Sequence, residues 1–247
     1  MAPAATATAS PIDAPTGPIK PVVEAPPAFN TDALFSNDKK TRESSVKELA
    51  SLSKNQGPQI FIDADLVVKA VKALNDKKSP AAREAVAKCT SFLAAESIAA
   101  FEIIAVSTAK DGLFNSLVEA FADKIPAVRN AAIKAIKDLV GNMSPWACAI
   151  VMPALLNQIK SNGKWQVKTG GLEVLDQLVT INPSQIAKLT PDIIPVLAEV
   201  VWDTKPEVKK AAKESLSKAT SLISNKGEGF PVAPISLVSL ISLLNRR

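Results

Sequence analysis

The sequence contains no histidine and no tyrosine. Without histidine there is no Ser-His-Asp or Cys-His nucleophile, no His-ligated zinc or haem, and no imidazole general base. Any catalysis would fall to carboxylates, lysine, serine or threonine. Glycine is scarce as well: 9 in 247 residues, about half the usual share of roughly 7%. That argues against Gly-rich phosphate loops and frequent tight hairpins. The two cysteines, Cys89 and Cys148, stand 59 residues apart, each in an apolar helix-like pattern. They read as buried thiols of a reducing compartment, not as a metal clip or a disulfide framework. Long uncharged apolar runs are missing too. The most apolar interior stretch, residues 92–109, carries Glu96 and Glu102, and no segment offers the roughly 20 apolar residues of a bilayer span.

What the chain does have is 47% hydrophobic residues and 21% charged ones, rich in the Ala, Leu, Lys and Glu that favour helices. The net charge is +5, with a pI near 9.1. Lys and Glu are interspersed along the sequence, so this balance permits an RNA or acidic partner without demanding one. Residues 1–28 hold seven of the 18 prolines and a single basic residue, Lys20. Neither helix nor ladder propagates through such spacing, and little bulky apolar surface is present to offset chain entropy. A disordered Pro/Ala-rich tail is expected there. It has neither the basic start and apolar stretch of a secretory signal nor the arginines of a mitochondrial presequence, and the expected location is cytoplasmic.

From about residue 29 a pattern recurs. An apolar helix-like stretch ends at a polar turn, often Asp-Lys; a Pro follows, and three positions later a basic residue opens a second apolar-periodic stretch. The clearest copies are DKIPAVRNAA from Asp123 and DTKPEVKKAA from Asp203. DKKSPAARE from Asp76 carries one extra residue, NGKWQVKTGG from Asn162 has Trp165 in the Pro place, and NDKKTRESS from Asn37 is a degraded first copy. Aligned on the basic residue, the copies fall at Arg42, Arg83, Arg129, Lys168 and Lys209, in steps of 41, 46, 39 and 41. A period near 40 signals stacked helical hairpins.

Each half of a copy reads as an amphipathic helix. Val128, Ala131, Ala132, Ala135, Ile136, Leu139 and Val140 share one face, as do Val208, Ala211, Ala212, Ser215, Leu216, Ala219, Leu222 and Ile223 in the last copy. In first halves, Ile193, Ile194, Val196, Leu197, Val200 and Val201 form a stripe, and Leu113, Leu117, Ala120 and Phe121 another. Pro80, Pro126 and Pro206 mark helix starts, where a fixed φ and a missing N–H are tolerated. Gly57-Pro58, Gly141 and Asn182-Pro183 read as stops. An Asp in the turn and an Arg or Lys opening the second helix is the pattern of HEAT repeats. The expected fold is all-α, a right-handed α-α superhelix (HEAT/armadillo-like solenoid) of about five hairpins over residues 29–226, whose copies share one core. Pro153 and Pro195 match the Pro that such repeats often carry within the first helix.

No enzymatic chemistry emerges. Gly163-Lys164 is followed by Trp165, and Gln158 stands where a Walker A loop needs its first Gly; Gly170-Gly171 is no dinucleotide fingerprint, since no strand precedes it. Glu96 with Glu102, or Glu43 with Glu48, could be imagined as an acid-base pair, but carboxylates at helical spacing read as solvated faces. No catalytic residue, cofactor or metal ligand is assigned. The turn acids Asp123 and Asp203 are expected to accept from nearby backbone N–H groups or to pair with a basic residue of an adjacent copy, with Arg83, Arg129, Lys168 and Lys209 as the candidates. Stacking would also bring Lys77, Lys78, Lys124, Lys164, Lys205 and Lys210 onto one edge, either as phosphate contacts or as solvated charge. Trp165 and Trp202 flank successive turns, with burial in the core the favoured role and contact with a partner the other.

The stretch KSNGKWQVKTGGLEVLDQL from Lys160, followed by LTPDIIPVLAEVVWDTKPEVKKAAKESLSKAT from Leu189, resembles the N-terminal HEAT region of fungal translation elongation factor 3, an ABC-F-like family. The likeness is close over residues 111–226 and weaker over 29–110. It implies a ribosome-associated module that docks on ribosomal RNA and proteins. In that family two ATP-binding cassettes further along drive release of deacylated tRNA from the exit site. Those cassettes are missing here, so the module is expected to be non-catalytic, with no small-molecule substrate and no membrane partner. Residues 227–247 form an apolar segment, too short to span a membrane, that reads as a divergent or truncated sixth repeat. A truncated or alternatively spliced product, or a gene-model fragment, of an elongation factor 3-like protein is the expectation that follows. The other reading is a HEAT scaffold for protein partners alone, as in the starvation-pathway activator, which contains a similar segment, or in a transport adaptor.

Overall fold

A computed structural model describes residues 29–36, 38–56, 60, 65–96 and 112–224. The tail at 1–28, the segment at 227–247, Glu102 and Gly57-Pro58 lie outside these residues. Ten α-helices are described: α1 (Thr31–Leu34), α2 (Lys39–Gln56), α3 (Leu66–Asn75), α4 (Pro80–Glu96), α5 (Leu113–Glu119), α6 (Pro126–Asn142), α7 (Cys148–Ser161), α8 (Trp165–Ile181), α9 (Pro183–Val200) and α10 (Pro206–Ser224). Short 3-10 turns extend α5 (Ala120–Ala122) and lead into α7 (Pro145–Ala147). No strand occurs among the described residues.

Consecutive helices pair into five hairpins, α1–α2 through α9–α10. The hairpins stack in register. Even-numbered helices α2, α4, α6, α8 and α10 each pack on the next, and so do odd-numbered α3, α5, α7 and α9. Two layers of helices thus enclose one continuous apolar core that runs from Leu34 to Ala219. The reason is elementary: a lone hairpin leaves one side of its apolar stripe in water, and the next copy covers it. All seven stripe residues of α6, from Val128 to Val140, are buried. In α10, Val208, Ala212, Ser215, Leu216 and Ala219 are buried, but Ile223, near the end of the helix, is exposed. Its expected place in the stripe is not realised.

Helix starts follow local chemistry. Pro80, Pro126, Pro183 and Pro206 each open a helix, and Trp165 takes the same first position in α8. Ser79 caps α4 by accepting the Ala82 N–H through Oγ at 3.3 Å, and Asp38 caps α2 by accepting the Thr41 N–H at 2.8 Å, which satisfies donors that the first turn leaves open. Pro153 lies inside α7, and Pro191 and Pro195 lie inside α9. Asn182 separates α8 from α9 as expected. Gly141 does not end its helix: it lies within α6, which stops at Asn142 with Met143 extended (ψ 156). What its missing side chain provides is room, since a Cβ there would meet Gln177 Nε2 of α8 at 3.4 Å, a group that donates to the Lys137 carbonyl at 2.9 Å. Closer approaches occur at Gly170 and Gly171, where a Cβ would fall 2.2 Å from Phe121 Cδ2 and 2.8 Å from Ile159 Cγ1. The Gly pair lets α8 sit against the end of α5 and against α7.

Candidate functional site

The turns that join the two helices of each hairpin share one backbone device. Asp76 Oδ1 accepts the Lys78 N–H (2.9 Å), Asp123 Oδ1 the Ile125 N–H (2.8 Å), Asn162 Oδ1 the Lys164 N–H (2.9 Å) and Asp203 Oδ1 the Lys205 N–H (2.9 Å). Ser36 Oγ does the same for Asp38 in the first hairpin (3.1 Å). A short side-chain acceptor two residues ahead of a donor is the usual way to close such a turn. In the first three hairpins the arginine that opens the second helix then ties the turn down. Arg42 Nη1 donates to the Ser36 carbonyl (2.9 Å), Arg83 Nη1 to the Asp76 carbonyl (2.6 Å) and Arg129 Nη1 to the Asp123 carbonyl (2.8 Å).

Two rungs cross between hairpins. Arg83 Nε and Nη2 reach Asp123 Oδ2 and Oδ1 of the following turn at 2.7 and 3.3 Å, and Lys168 Nζ reaches Asp203 Oδ2 at 2.7 Å. Both pairs are nearly enclosed, with side-chain exposures of 10% and 12% for the first and 17% and 12% for the second. Burial pushes the Asp123 carboxyl up, but the Arg83 hydrogen bond, the Ile125 N–H and the charges of Arg83 and Arg129 outweigh it and hold the group below the usual carboxylate range. At Asp203 burial is likewise outweighed, here by the Lys168 hydrogen bond, the Lys205 N–H, the Lys168 charge and the Thr204 side chain. The two expected roles of these acids, turn closure and pairing between copies, hold together in the same side chain. Arg129 makes no such rung, because the next turn offers Asn162 in place of a carboxylate; its Nη1 serves the Asp123 and Lys124 carbonyls. Lys209 has no ion pair among the described residues.

Consequently two of the turn carboxylates, Asp123 and Asp203, are neutralised inside the stack, while Asp76 stays exposed and the turn lysines are left over. Lys77, Lys78, Lys124, Lys164, Lys205 and Lys210 are all exposed, and none forms an ion pair among the described residues. The backbone N–H groups of Lys78, Lys164 and Lys205 are the very donors that the turn acceptors hold. Their main chains are therefore fixed and their ammonium groups are free. Lys213, one turn beyond Lys209 on α10, is exposed too.

The tryptophans depart from expectation. Trp165 is 38% and Trp202 50% exposed, so neither is a core residue. Each sits beside a turn, Trp165 at the first position of α8 and Trp202 two residues past the end of α9. Cys89 and Cys148 are buried and unbridged, and burial pushes the Cys89 thiol up to about 12. Glu43 pairs with Lys39 at 3.6 Å one turn away and Glu48 is exposed. Among the described residues no three acidic or thiol side chains cluster to hold a metal. Among them, too, no single helix is long and apolar enough to cross a membrane; residues 126–142 with 145–161 are apolar enough only as a pair bent by 118°, and their apolar faces are filled by the core.

Comparison with known proteins then decides the family. The family model described as the elongation factor 3 N-terminal HEAT repeat matches residues 42–216. The chain belongs to the elongation factor 3 HEAT family. Elongation factor 3 of Mycosarcoma maydis is 40% identical over 196 residues, covering 79% of this chain and 18% of that protein. Elongation factor 3 of Gonapodya prolifera is 29% identical over 218 residues, covering 85% of this chain and 19% of that protein. The chain thus spans less than a fifth of the length of these relatives, and what it matches is the HEAT region, not the cassettes. A chain from a structure of microtubule plus-end tracking by XMAP215, CLIP-170 and EB1 superposes with a TM-score of 0.57 at 20% identity, over 89% of each chain. That likeness shows the fold alone: a HEAT/armadillo-like helical solenoid.

Proposed function

We propose that this elongation factor 3-like HEAT module docks on the ribosome through its turn edge and serves translation elongation without catalysing a reaction itself. The observation that carries the reading is the charge sorting in the turns. Asp123 and Asp203 are neutralised by Arg83 and Lys168, which leaves Lys77, Lys78, Lys124, Lys164, Lys205 and Lys210 as a positive excess along the turns, offset in the second hairpin by the exposed Asp76. Stacked helices stand about 8–10 Å apart, so successive turns present cations at intervals that a folded RNA backbone can meet with several phosphates at once. Trp165 and Trp202 supply apolar surface on the same edge for ribosomal protein or an unstacked base. In the family, the cassettes couple ATP hydrolysis to release of exit-site tRNA; this chain contributes placement, in the cytoplasm, on rRNA and ribosomal proteins.

Ribosome co-sedimentation across a salt series tests this. Binding should weaken as salt rises, and replacing Lys164, Lys205 and Lys210 together with Gln should lower affinity and reduce the slope of log K against log salt by roughly 2–3, close to one per lost phosphate contact. A scaffold for protein partners alone gives salt-insensitive behaviour that ignores the triple replacement, and that result would overturn the ribosome reading.

A further inference from the structure

We propose that the outer face of α7 and α9 is a second docking site, for an amphipathic helical segment of a protein partner that sets a carboxylate against Lys188 and a cation against Asp192. The inference is independent of the ribosome reading, and the site lies at the other end of α7 from the turn lysines. Trp146 lies two residues before α7 and Lys164 follows the helix, whose 14 residues separate them by about 21 Å.

Trp146 is 73% exposed and Ile150, one turn further on, is 58% exposed. The two form a contiguous apolar strip with the exposed Pro153. The ring stands on a rigid base. Ser144 Oγ accepts the Trp146 N–H at 3.3 Å, the Ala147 N–H closes on the Ser144 carbonyl at 3.0 Å, and Ala147 and Cys148 behind it are buried. A large aromatic held outward on a fixed turn loses little freedom on binding, which is why Trp dominates the energetics of many interfaces.

Charge selects the occupant. Lys188 and Asp192 lie one turn apart on α9, a spacing at which exposed side chains commonly pair with each other. Here they do not. The Lys188 ammonium stands 5.6 Å from the centroid of the Trp146 ring, within the range of a cation–π contact, and hydrogen-bonds Gln185 Oε1 at 3.3 Å. Neither Lys188 nor Asp192 has an ion pair among the described residues. The apolar strip therefore lies beside one cation without an ion pair, and one carboxylate without an ion pair follows a turn further along α9, their Cβ atoms about 6 Å apart, next to the exposed Pro191. Nucleic acid does not fit: a phosphate chain needs repeated cations, and here Asp192 cancels Lys188 while Lys160 is already paired with Glu199 at 2.8 Å. A helix that carries Leu or Phe along one stripe, with Glu and Lys one turn apart at its margin, matches both the apolar strip and the two charges.

The test uses the full chain labelled with nitrogen-15 and three synthetic helical peptides with the same Leu stripe, flanked by Glu and Lys in the matching order, in the reversed order, or by Gln at both positions. The Trp146 indole resonance, assigned with Trp146→Phe, should shift on titration while those of Trp165 and Trp202 stay in place. The matched peptide should bind at least fivefold more tightly than the reversed one, and Trp146→Ala should weaken it by tenfold or more. The double replacement Lys188→Asp with Asp192→Lys should invert the preference between matched and reversed peptides. Absence of a Trp146 shift with every peptide, or equal affinity for all three, or a preference that the double replacement leaves unchanged, each overturns the proposal. Because Trp146→Ala leaves the turn edge intact, ribosome co-sedimentation of that variant separates failure here from failure of the ribosome reading.

Discussion

Replacing Asp123 with Ala removes one rung between the second and third hairpins, and the geometry sets how much that costs. The carboxylate accepts Arg83 Nε at 2.7 Å, Arg83 Nη2 at 3.3 Å and the Ile125 N–H at 2.8 Å. Truncation abolishes all three and strands the Arg83 guanidinium, 8% exposed, with the Asp76 carbonyl as its remaining acceptor at 2.6 Å. Two unit charges about 4 Å apart interact by about 4 kcal/mol at the effective dielectric typical of proteins, and deleting one member of an enclosed pair costs about 3–5 kcal/mol. The expected loss is therefore about 3–5 kcal/mol. By contrast, Lys137 and Glu173 meet at 3.1 Å with 42% and 58% exposure, and Glu173→Ala should cost about 0–1 kcal/mol. Urea unfolding followed by circular dichroism at 222 nm reads both. Solenoid stability resides largely in the coupling between neighbours, so Asp123→Ala should also broaden the transition. Asp123→Asn keeps the turn and breaks the rung: its amide oxygen holds the Ile125 N–H as Asn162 does for Lys164, while the charge and the Oδ2 acceptor of the Arg83 Nε–H are lost. An Asp123→Ala variant within about 1 kcal/mol of the parent, or no worse than Glu173→Ala, would show that the rung adds nothing to the stack.

Four further outcomes follow from the same structure. Gly170→Ala gains about 1 kcal/mol of helix propensity but drives a Cβ to 2.2 Å from the buried Phe121 ring, so urea titration should show net loss, whereas Gly141→Ala, whose Cβ meets only Gln177 Nε2 at 3.4 Å, should gain about 0.5 kcal/mol. Because the folded-state pKa values of Asp123 and Asp203 lie below their ordinary carboxylate values, their contribution is fully present above a pH of about 4 and fades as pH falls through the folded values; the urea midpoint should drop from pH 5 to pH 3, and drop less in Asp123→Asn with Asp203→Asn. Cys89, its thiol pushed up to about 12, and the buried Cys148 should show no fast reaction with Ellman's reagent at pH 8 until urea unfolds the chain, and a rapidly reacting thiol in the native protein would contradict their burial. Asn162→Asp places a carboxylate where Arg129 lacks one, and thermal melts should show stabilisation of about 1 kcal/mol, with no gain if Arg129 is replaced by Met.

The repeat was legible because its markers act locally. A proline at the first helical position is recognisable from its own φ and its missing N–H, and Trp165 could be aligned with the prolines because period and neighbours fixed its place. Gly141 misled because a glycine ends a helix only when the chain needs a left-handed residue there, and α6 instead ends in extended Met143. The tryptophans misled for a different reason. Apolar character says that a ring gains by leaving water, but a residue just inside α8 or just past α9 sits where the stack has an edge, and helical periodicity no longer assigns it a face. The missing rung at Arg129 was visible in the letters. Aligning on the basic residue treats Asn162 and Asp123 as one turn residue, which is right for the backbone N–H each accepts and wrong for the charge only one carries. For the candidate site, the six lysines could be read in the turns; which of Arg83, Arg129, Lys168 and Lys209 would meet Asp123 and Asp203 could not, since that depends on which neighbour each acid faces.

In the second to fifth hairpins the acceptor at Asp76, Asp123, Asn162 or Asp203 holds the N–H two residues later, and the side chain at that later position takes no part. Lys78, Lys164 and Lys205 occupy it in three hairpins and Ile125, 39% exposed, in the other. A lysine or an isoleucine closes the turn equally well, so the outward residue is free to change without loosening the stack. The ladder residues and the edge residues are thus separable by substitution: Asp123 or Arg83 should alter folding at every ionic strength, whereas Lys164 or Lys205 should leave the unfolding curve in place and act on binding alone. A turn-lysine replacement that shifted the urea midpoint by as much as a ladder replacement would mean that the lysine edge is part of the scaffold, and the separation between fold and interface would fail with it.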